Sequence, residues 1–161
     1  MALFQSKQIA AKKQCITPDG DGDAMAYLAE FVVPTGLANG DIIEMAGLPA
    51  GNVPTGMKLA CAAMDSNGTP TIVFNIGYLS GNYGVADATR TCGAEFVSAS
   101  VVGKLGGIQN ESVATALLAT PTLNDRGVGL VLTTGAATLV VGAKLRMTLS
   151  YVPTTYGIDA A

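Results

Sequence analysis

Alternation between apolar and polar residues is clearest near the end of the chain. Leu145, Met147, Leu149 and Tyr151 would share one face of an extended segment, and the charged or hydroxyl residues between them would share the other. A period of two over eight residues is typical of a strand with one buried face and one face in water. The pattern therefore predicts a strand over residues 144–151.

Shorter stretches with the same period predict further strands earlier in the chain. These strands are expected at 25–33, 41–45, 57–63, 72–78, 113–119 and 128–133. The turn-forming run Asp65-Ser66-Asn67-Gly68 lies between the third and fourth of them. Such residues between two alternating segments are typical of a β-hairpin, which we expect there.

One segment follows a different period. In residues 94–104, Phe96, Val97, Ser100 and Val101 fall at positions i, i+1, i+4 and i+5, which is the apolar stripe of a helix. Three glycines follow at 103, 106 and 107. The spacing predicts one short helix that these glycines end.

Seven or eight short strands, one helix and 20 glycines together predict an all-β domain. We expect a mainly antiparallel β-sandwich or barrel over residues 24–161. Residues 1–23 have little apolar repeat and end in the turn formers Pro18-Asp19-Gly20-Asp21-Gly22-Asp23, which favours an extended N-terminal arm. Within that arm, a weaker pattern favours a short helix over residues 6–14.

Composition adds information about partners. The 161 residues suffice for one domain, and only 13% of them are charged while 49% are hydrophobic. The mean hydropathy of +0.40 is high for an isolated globule, so we expect other chains to cover part of the surface. Nine basic against 12 acidic residues argue against nucleic acid as a partner. No apolar stretch is long enough to span a membrane, and no leader opens the chain, so we expect synthesis in a cytoplasm.

The residues that most often carry catalysis are missing. The sequence contains no histidine, which excludes Ser-His-Asp and Cys-His chemistry. Cys15, Cys61 and Cys92 are widely spaced and form no C-x-x-C pair, so we expect reduced and unreactive thiols. We therefore predict a protein that is not an enzyme and needs no cofactor.

Two motifs suggest ligand sites but depart from their patterns. Asp19, Asp21, Asp23 and Glu30 match positions 1, 3, 5 and 12 of a calcium loop, yet Ala24 stands where that loop requires glycine. Gly51 and Gly56 are spaced as in a phosphate-binding loop, but Met57 replaces the lysine that must follow directly. Ordinary turns explain both motifs better, so no metal or phosphate site is predicted.

The N-terminal arm carries the candidate contact residues for a partner. Lys7, Lys12 and Lys13 are its basic residues, and Phe4 adds an apolar anchor. Since neither arginine nor further aromatic residues alternate with the lysines, an acidic protein surface suits them better than nucleic acid. We predict that Phe4, Lys7, Lys12 and Lys13 bind a neighbouring protein.

From Lys58 to Val152 the order of segments resembles a known group of proteins. Thr69-Pro-Thr-Ile-Val-Phe-Asn-Ile-Gly77 is followed by a polar loop with Ala86-Asp87-Ala88, then by Glu95-Phe-Val-Ser-Ala-Ser100 and Gly106-Gly107, and the series closes with Ala143-Lys-Leu-Arg-Met-Thr-Leu-Ser-Tyr151. This series resembles the capsid decoration, or cement, proteins of tailed bacteriophages. The resemblance implies a β-rich domain, commonly a trimer, bound to the major capsid protein on the outside of a phage head.

Three hypotheses about function follow. The first is a structural virion protein that decorates and stabilises a capsid as a homo-oligomer, a trimer being favoured. The second is a tail or connector subunit of the same virion. The third is a ligand-binding β-barrel or a small carbohydrate-active enzyme, which requires a concave pocket with converging carboxylates.

Overall fold

The computed structural model describes residues 1–12 and 23–154. Within these residues the chain forms nine strands and two helices of one turn each. The strands are β1 (Leu3–Gln5), β2 (Met25–Val32), β3 (Ile42–Leu48), β4 (Asn52–Cys61), β5 (Val73–Leu79), β6 (Val97–Ser100), β7 (Gly107–Asn110), β8 (Arg126–Thr134) and β9 (Lys144–Pro153). The helices are α1 (Lys7–Ala10) and α2 (Val102–Leu105).

The strands form two sheets that share one core. The five-stranded sheet has the order β1-β3-β8-β5-β6, and the four-stranded sheet has the order β2-β9-β4-β7. Every pairing between neighbours is antiparallel except that of β1 with β3. The expected fold class, a mainly antiparallel β-sandwich, is confirmed.

Strand β9 shows how the apolar pattern builds this core. Leu145, Met147, Leu149 and Tyr151 are buried, as their alternation predicts, and face inward between β2 and β4. Phe74, Ile76 and Leu130 of the opposite sheet belong to the same buried cluster. Burying side chains of this size stabilises a fold by about 1.5–3 kcal/mol each.

The first twelve residues complete the fold. Leu3, Phe4 and Gln5 pair in parallel with Ile42, Ile43 and Glu44 of β3. Ser6 caps α1, since its hydroxyl accepts from the Ile9 N–H (3.4 Å) and donates to the Met45 carbonyl (2.7 Å). These residues lie against their own domain, where the sequence suggested an arm that reaches a neighbour. The predicted boundary after residue 23 stays a prediction, because residues 13–22 lie outside the described part.

Two predicted elements are wrong. Residues 94–104 form strand β6 and the short helix α2 instead of one helix, because the edge of β5 pairs with β6 and tertiary pairing overrides the local stripe. The predicted strand over 113–119 is a series of turns. There the Leu118 N–H donates to the Ala114 carbonyl (3.1 Å), so the backbone makes local bonds rather than a ladder.

The hairpin predicted at 65–68 is also wrong. Strands β4 and β5, which this connection joins, belong to different sheets, so the chain crosses the sandwich instead of turning back on itself. Asp65 organises the crossing by accepting backbone N–H bonds from Thr71 (2.8 Å), Ala137 (2.9 Å) and Thr138 (2.9 Å). Residues typical of a turn are therefore present, but they serve a longer loop.

Candidate functional site

The residues predicted to bind a partner are partly engaged within the chain. Phe4 is half-buried and packs edge-on against Phe31, with ring centroids 6.4 Å apart. Lys7 pairs with Glu30 at 2.6 Å, although its side chain is 62% exposed. Lys12 is exposed, and Lys13 lies outside the described residues. The structure thus gives Phe4 and Lys7 intramolecular roles, and whether any of the four meets a partner stays a prediction.

Glu30, the last position of the calcium-like motif, lies in a strand between two cations. Its carboxylate accepts from Lys7 (2.6 Å) and from Arg146 (2.9 Å), the residue opposite it on β9. Hydrogen bonds from these two side chains lower the pKa of Glu30 to about 2. Among residues 1–12 and 23–154, no three potential metal ligands cluster, while Asp19 and Asp21 lie outside the described residues.

The phosphate-loop spacing and the thiols also find structural explanations. Gly51 forms a turn with a φ of 72°, and Gly56 lies inside β4, so no loop joins them to cradle a phosphate. Burial raises the pKa of both Cys61 and Cys92 to about 12, which keeps these thiols protonated at neutral pH. Cys15 lies outside the described residues.

A different segment, which sequence reasoning assigned partly to a strand, has the character of a binding surface. Residues 111–125, here called the 111–125 loop, connect β7 to β8 without regular secondary structure. Connections of about this length are uncommon in compact domains and are usually either functional or disordered. Two leucines of the loop project into solvent, Leu118 at 80% exposure and Leu123 at 73%.

The 111–125 loop is held firmly by the domain. Ser112 and Val113 donate backbone N–H bonds to the Phe96 carbonyl (2.9 and 3.1 Å), and the Tyr78 hydroxyl donates to the Ala116 carbonyl (3.1 Å). At its far end, the Ala50 N–H donates to the Asp125 carboxylate (2.8 Å). Leu118 and Leu123 therefore face water on an anchored backbone.

Three of the concave regions among the described residues border residues 114–125 of this loop. The first, of about 500 Å³, is lined by Tyr78, Glu95, Ala114, Thr115, Leu118, Ala119, Thr120, Thr122 and Arg126. The second, of about 330 Å³, shares Leu118, Ala119 and Thr120 with the first and adds the apolar side chains of Val53, Leu117 and Pro121. The third, of about 360 Å³, lies between Leu123 and Tyr83. Concave regions of this size accept side chains or small molecules.

Arg126 provides a positive charge in the wall of the first concave region. Its guanidinium lies over the Tyr78 ring, 4.3 Å from the ring centroid, in a cation–π contact. Its Nε and Nη2 atoms are buried and find no acceptor among the described residues. Burial is the largest effect on Tyr78 and raises its pKa to about 12, and the nearby Arg126 only partly offsets it. The phenol therefore stays protonated and keeps its bond to the Ala116 carbonyl.

Glu95, which also lines the first concave region, is engaged by the backbone. Its carboxylate accepts from the Tyr78 N–H (3.0 Å). Gly77 and Gly93 leave room for it, because a Cβ at either position would collide with the carboxylate oxygens. Within the described residues, no ion pair joins Glu95 to Arg126.

A buried ion pair fixes the neighbouring loop at residues 80–92. Arg90 contacts Glu44 at 2.9 Å, with both side chains almost fully buried, and its guanidinium also donates to the Ser80 and Val85 carbonyls (2.6 and 3.1 Å). Gly84 donates its N–H to the same Glu44 carboxylate (3.2 Å). This network holds the loop that borders the third concave region.

The arrangement is suited to docking a protein segment. Exposed leucines, a cation with no ion-pair partner among the described residues and anchored loops are features of an interaction surface. Sequence reasoning missed this surface because residues 113–119 matched a strand. The two leucines among small and hydroxyl residues, with Arg126 next to them, were the available signal.

No helix in residues 1–12 and 23–154 combines the length and apolar character that crossing a membrane requires.

Comparisons with solved structures found phage capsids. A chain of the capsid of Ralstonia phage GP4 is 34% identical to this protein, with a TM-score of 0.90 over 96% of this chain and 99% of that one. A chain of the cyanophage Pam1 capsid asymmetric unit shares the fold, with 23% identity and a TM-score of 0.63 over 89% of this chain and 96% of that one. So does a chain of the Helicobacter pylori bacteriophage KHP30 capsid (12% identity, TM-score 0.53, covering 83% and 90%).

No protein-family model and no curated protein sequence matches the chain. The GP4 match nevertheless spans nearly the whole of both chains at an identity well above that expected from a shared fold alone. The protein therefore belongs to a family of bacteriophage capsid proteins.

Proposed function

We propose that this protein is a capsid decoration, or cement, protein that binds the outside of a phage head and stabilises it. It would act as a structural component of the virion, bound to the major capsid protein as a homo-oligomer, with a trimer favoured. The proposal assigns it no enzymatic activity, no cofactor, no nucleic-acid partner and no membrane. The observation that carries the proposal is a self-contained sandwich in a chain 34% identical to one from a phage capsid.

The self-contained fold supports decoration over building of the shell itself. The accessible surface of the chain is 7684 Å², close to the roughly 7,500 Å² expected of a compact globule of this mass. Both sheets bury their inner faces against each other, and β1 folds back onto its own domain. Such a unit suits addition to a finished shell, because it completes its core without a neighbour.

The net charge favours the exterior of the head. With a formal charge of −3, the protein would be repelled by the packaged DNA that faces the inner surface of a shell. An outer position avoids that repulsion. Lys12 and the 62% exposed Lys7 stay proposed contacts to an acidic shell surface, together with Lys13 and Phe4.

Sedimentation of virions tests the proposal. Heads and tails are separated on a gradient, and the copies of this chain in each fraction are counted by quantitative mass spectrometry. Decoration predicts hundreds of copies with the heads, removal without loss of the shell, and rebinding of purified protein. Heads that carry the protein should release their DNA at a higher temperature than heads without it.

Two results would contradict decoration. Tens of copies that sediment with tails would favour a tail or connector subunit. Protein that stays at the top of the gradient would exclude a virion role and favour the hypothesis of a ligand-binding barrel.

A further inference from the structure

We propose that the 111–125 loop and Arg126 form the docking surface for a segment of a capsid shell subunit that presents a carboxylate beside an apolar side chain. This inference rests on the proposed function and names the surface and the chemistry of the contact. Arg126 would receive the carboxylate, and the second concave region would receive the apolar side chain.

The apolar half of the surface is already shaped for binding. Leu118 borders both the 500 Å³ and the 330 Å³ regions, so one occupant can contact both through it. Val53, Leu117 and Pro121 supply the apolar wall of the smaller region. Because the hydrogen bonds to Phe96 and Tyr78 hold the loop, binding costs little ordering of this backbone.

The charged half determines the chemistry of the occupant. Arg126 lines the 500 Å³ region and has no ion-pair partner among the described residues, and a guanidinium pairs best with a carboxylate in a two-bond geometry. Glu95, the other charged group of this region, already accepts the Tyr78 N–H and is held between glycines. The charge that would complement this region is therefore a negative one next to Arg126.

Heads that lack this protein are mixed with purified variants, and bound copies are measured by sedimentation across a concentration series. The variants are Leu118→Asp, Arg126→Gln and Arg126→Lys. Leu105→Asp is the matched control, because Leu105 is 85% exposed on α2, outside the loop. Thermal melts confirm that each variant is folded, and analytical ultracentrifugation reports its oligomeric state.

Leu118→Asp and Arg126→Gln are expected to weaken binding by about tenfold or more, as for central contacts of an interface, while Leu105→Asp stays within about twofold. Arg126→Lys should fall between wild type and Arg126→Gln, since lysine keeps the charge but loses the two-bond geometry. If Arg126→Gln does not fold, the head binding measured for Leu118→Asp still tests the inference.

Unchanged binding by Leu118→Asp and Arg126→Gln would overturn the inference and leave the proposed function intact. A changed oligomeric state in Leu118→Asp, with head binding per assembled unit unchanged, would also overturn it and assign the surface to contacts between copies. Failure of the wild-type protein to bind heads would instead reject the proposed function.

Discussion

Asp65 combines burial with ionisation through its backbone partners. The residue is 3% exposed, and this burial opposes the charged form. Hydrogen bonds from the N–H groups of Thr138, Ala137, Thr71 and Asn67 outweigh that effect and hold the pKa of the carboxyl well below its usual range. The loop between β4 and β5 therefore depends on a charged Asp65.

Stability should consequently fall in acid. Because the folded-state pKa values of Asp65 and Glu30 lie below the ordinary 3.8 and 4.5, their contribution is complete above about pH 5 and is lost as the pH drops toward 2. Urea unfolding between pH 7 and pH 2.5 measures this loss. Asp65→Asn should be less stable at pH 7 and show a shallower slope below pH 4.5. Parallel profiles for the variant and the wild type would contradict the role of Asp65.

Phe4 allows a test of structural against partner roles. Phe4→Ala removes the half-buried ring that packs on Phe31, so the free energy of unfolding should fall by about 2 kcal/mol. Urea denaturation measures this change, and unchanged head binding per folded molecule would remove Phe4 from the proposed contacts to the shell. Normal stability combined with lost binding would instead identify Phe4 as a contact to the shell.

At the scale of elements, strand β8 uses glycine to admit a buried ion pair. A Cβ at Gly127 would collide with the Glu44 carboxylate and lie 2.7 Å from Arg90 Nη2. The pair lies on the outer face of β3, covered by the 80–92 loop that Arg90 holds in place. The buried position of Arg90 in the loop therefore requires glycine at position 127 of β8.

Gly127→Ala should therefore be strongly destabilising. Forcing a methyl group against two buried charged side chains costs about 1–3 kcal/mol, because Glu44 and Arg90 must shift to make room for it. Gly68→Ala is the control, since a Cβ there meets nothing within 4 Å and should change stability by less than about 0.5 kcal/mol. Denaturant midpoints compare the two, and equal midpoints would show that the Glu44–Arg90 pair tolerates the added methyl group.

Elements differ in how far their sequence predicts them. Strand β9 matches its predicted pattern because it is long, central in its sheet and buried on one face only. Strand β6 does not, because a four-residue edge strand carries too few residues to display a period. The residues of this helix-like stripe form a strand because the edge of β5 is available for pairing.

At the scale of the whole molecule, the chain passes repeatedly between the two sheets. Strands β2, β3 and β4 alternate between sheets, as do β7, β8 and β9. Nearly all pairings therefore join segments far apart in sequence. The chain loses the entropy of closing long loops before it gains the stabilising contacts between strands.

Refolding should accordingly be slow for a domain of this size. Stopped-flow dilution from urea is expected to show a main phase on the millisecond-to-second scale, as in other sandwiches dominated by distant pairings. Fluorescence and circular dichroism should report the same rate. Complete recovery of β structure within the dead time would show that local contacts, rather than the sandwich topology, control folding.

The candidate site was only partly predictable. The lysines and Phe4 were recognisable as unusual in the first residues, but their intramolecular partners Glu30 and Phe31 lie more than twenty positions away. The 111–125 loop was hidden because small residues alternate there with valine and leucine, as in a strand. The exposure of Leu118 and the lack of an ion-pair partner for Arg126 in the described part of the chain are properties of the folded surface.

By itself, the sequence determined the all-β class, the buried face of β9 and the absence of histidine chemistry, because period, composition and residue type are local properties. Tertiary structure alone decided that β1 closes a sheet, that residues 65–68 cross between sheets, and that Glu44 meets Arg90. Each of these depends on which distant strands share the core, and burial of the common apolar surface selects that arrangement over locally plausible alternatives.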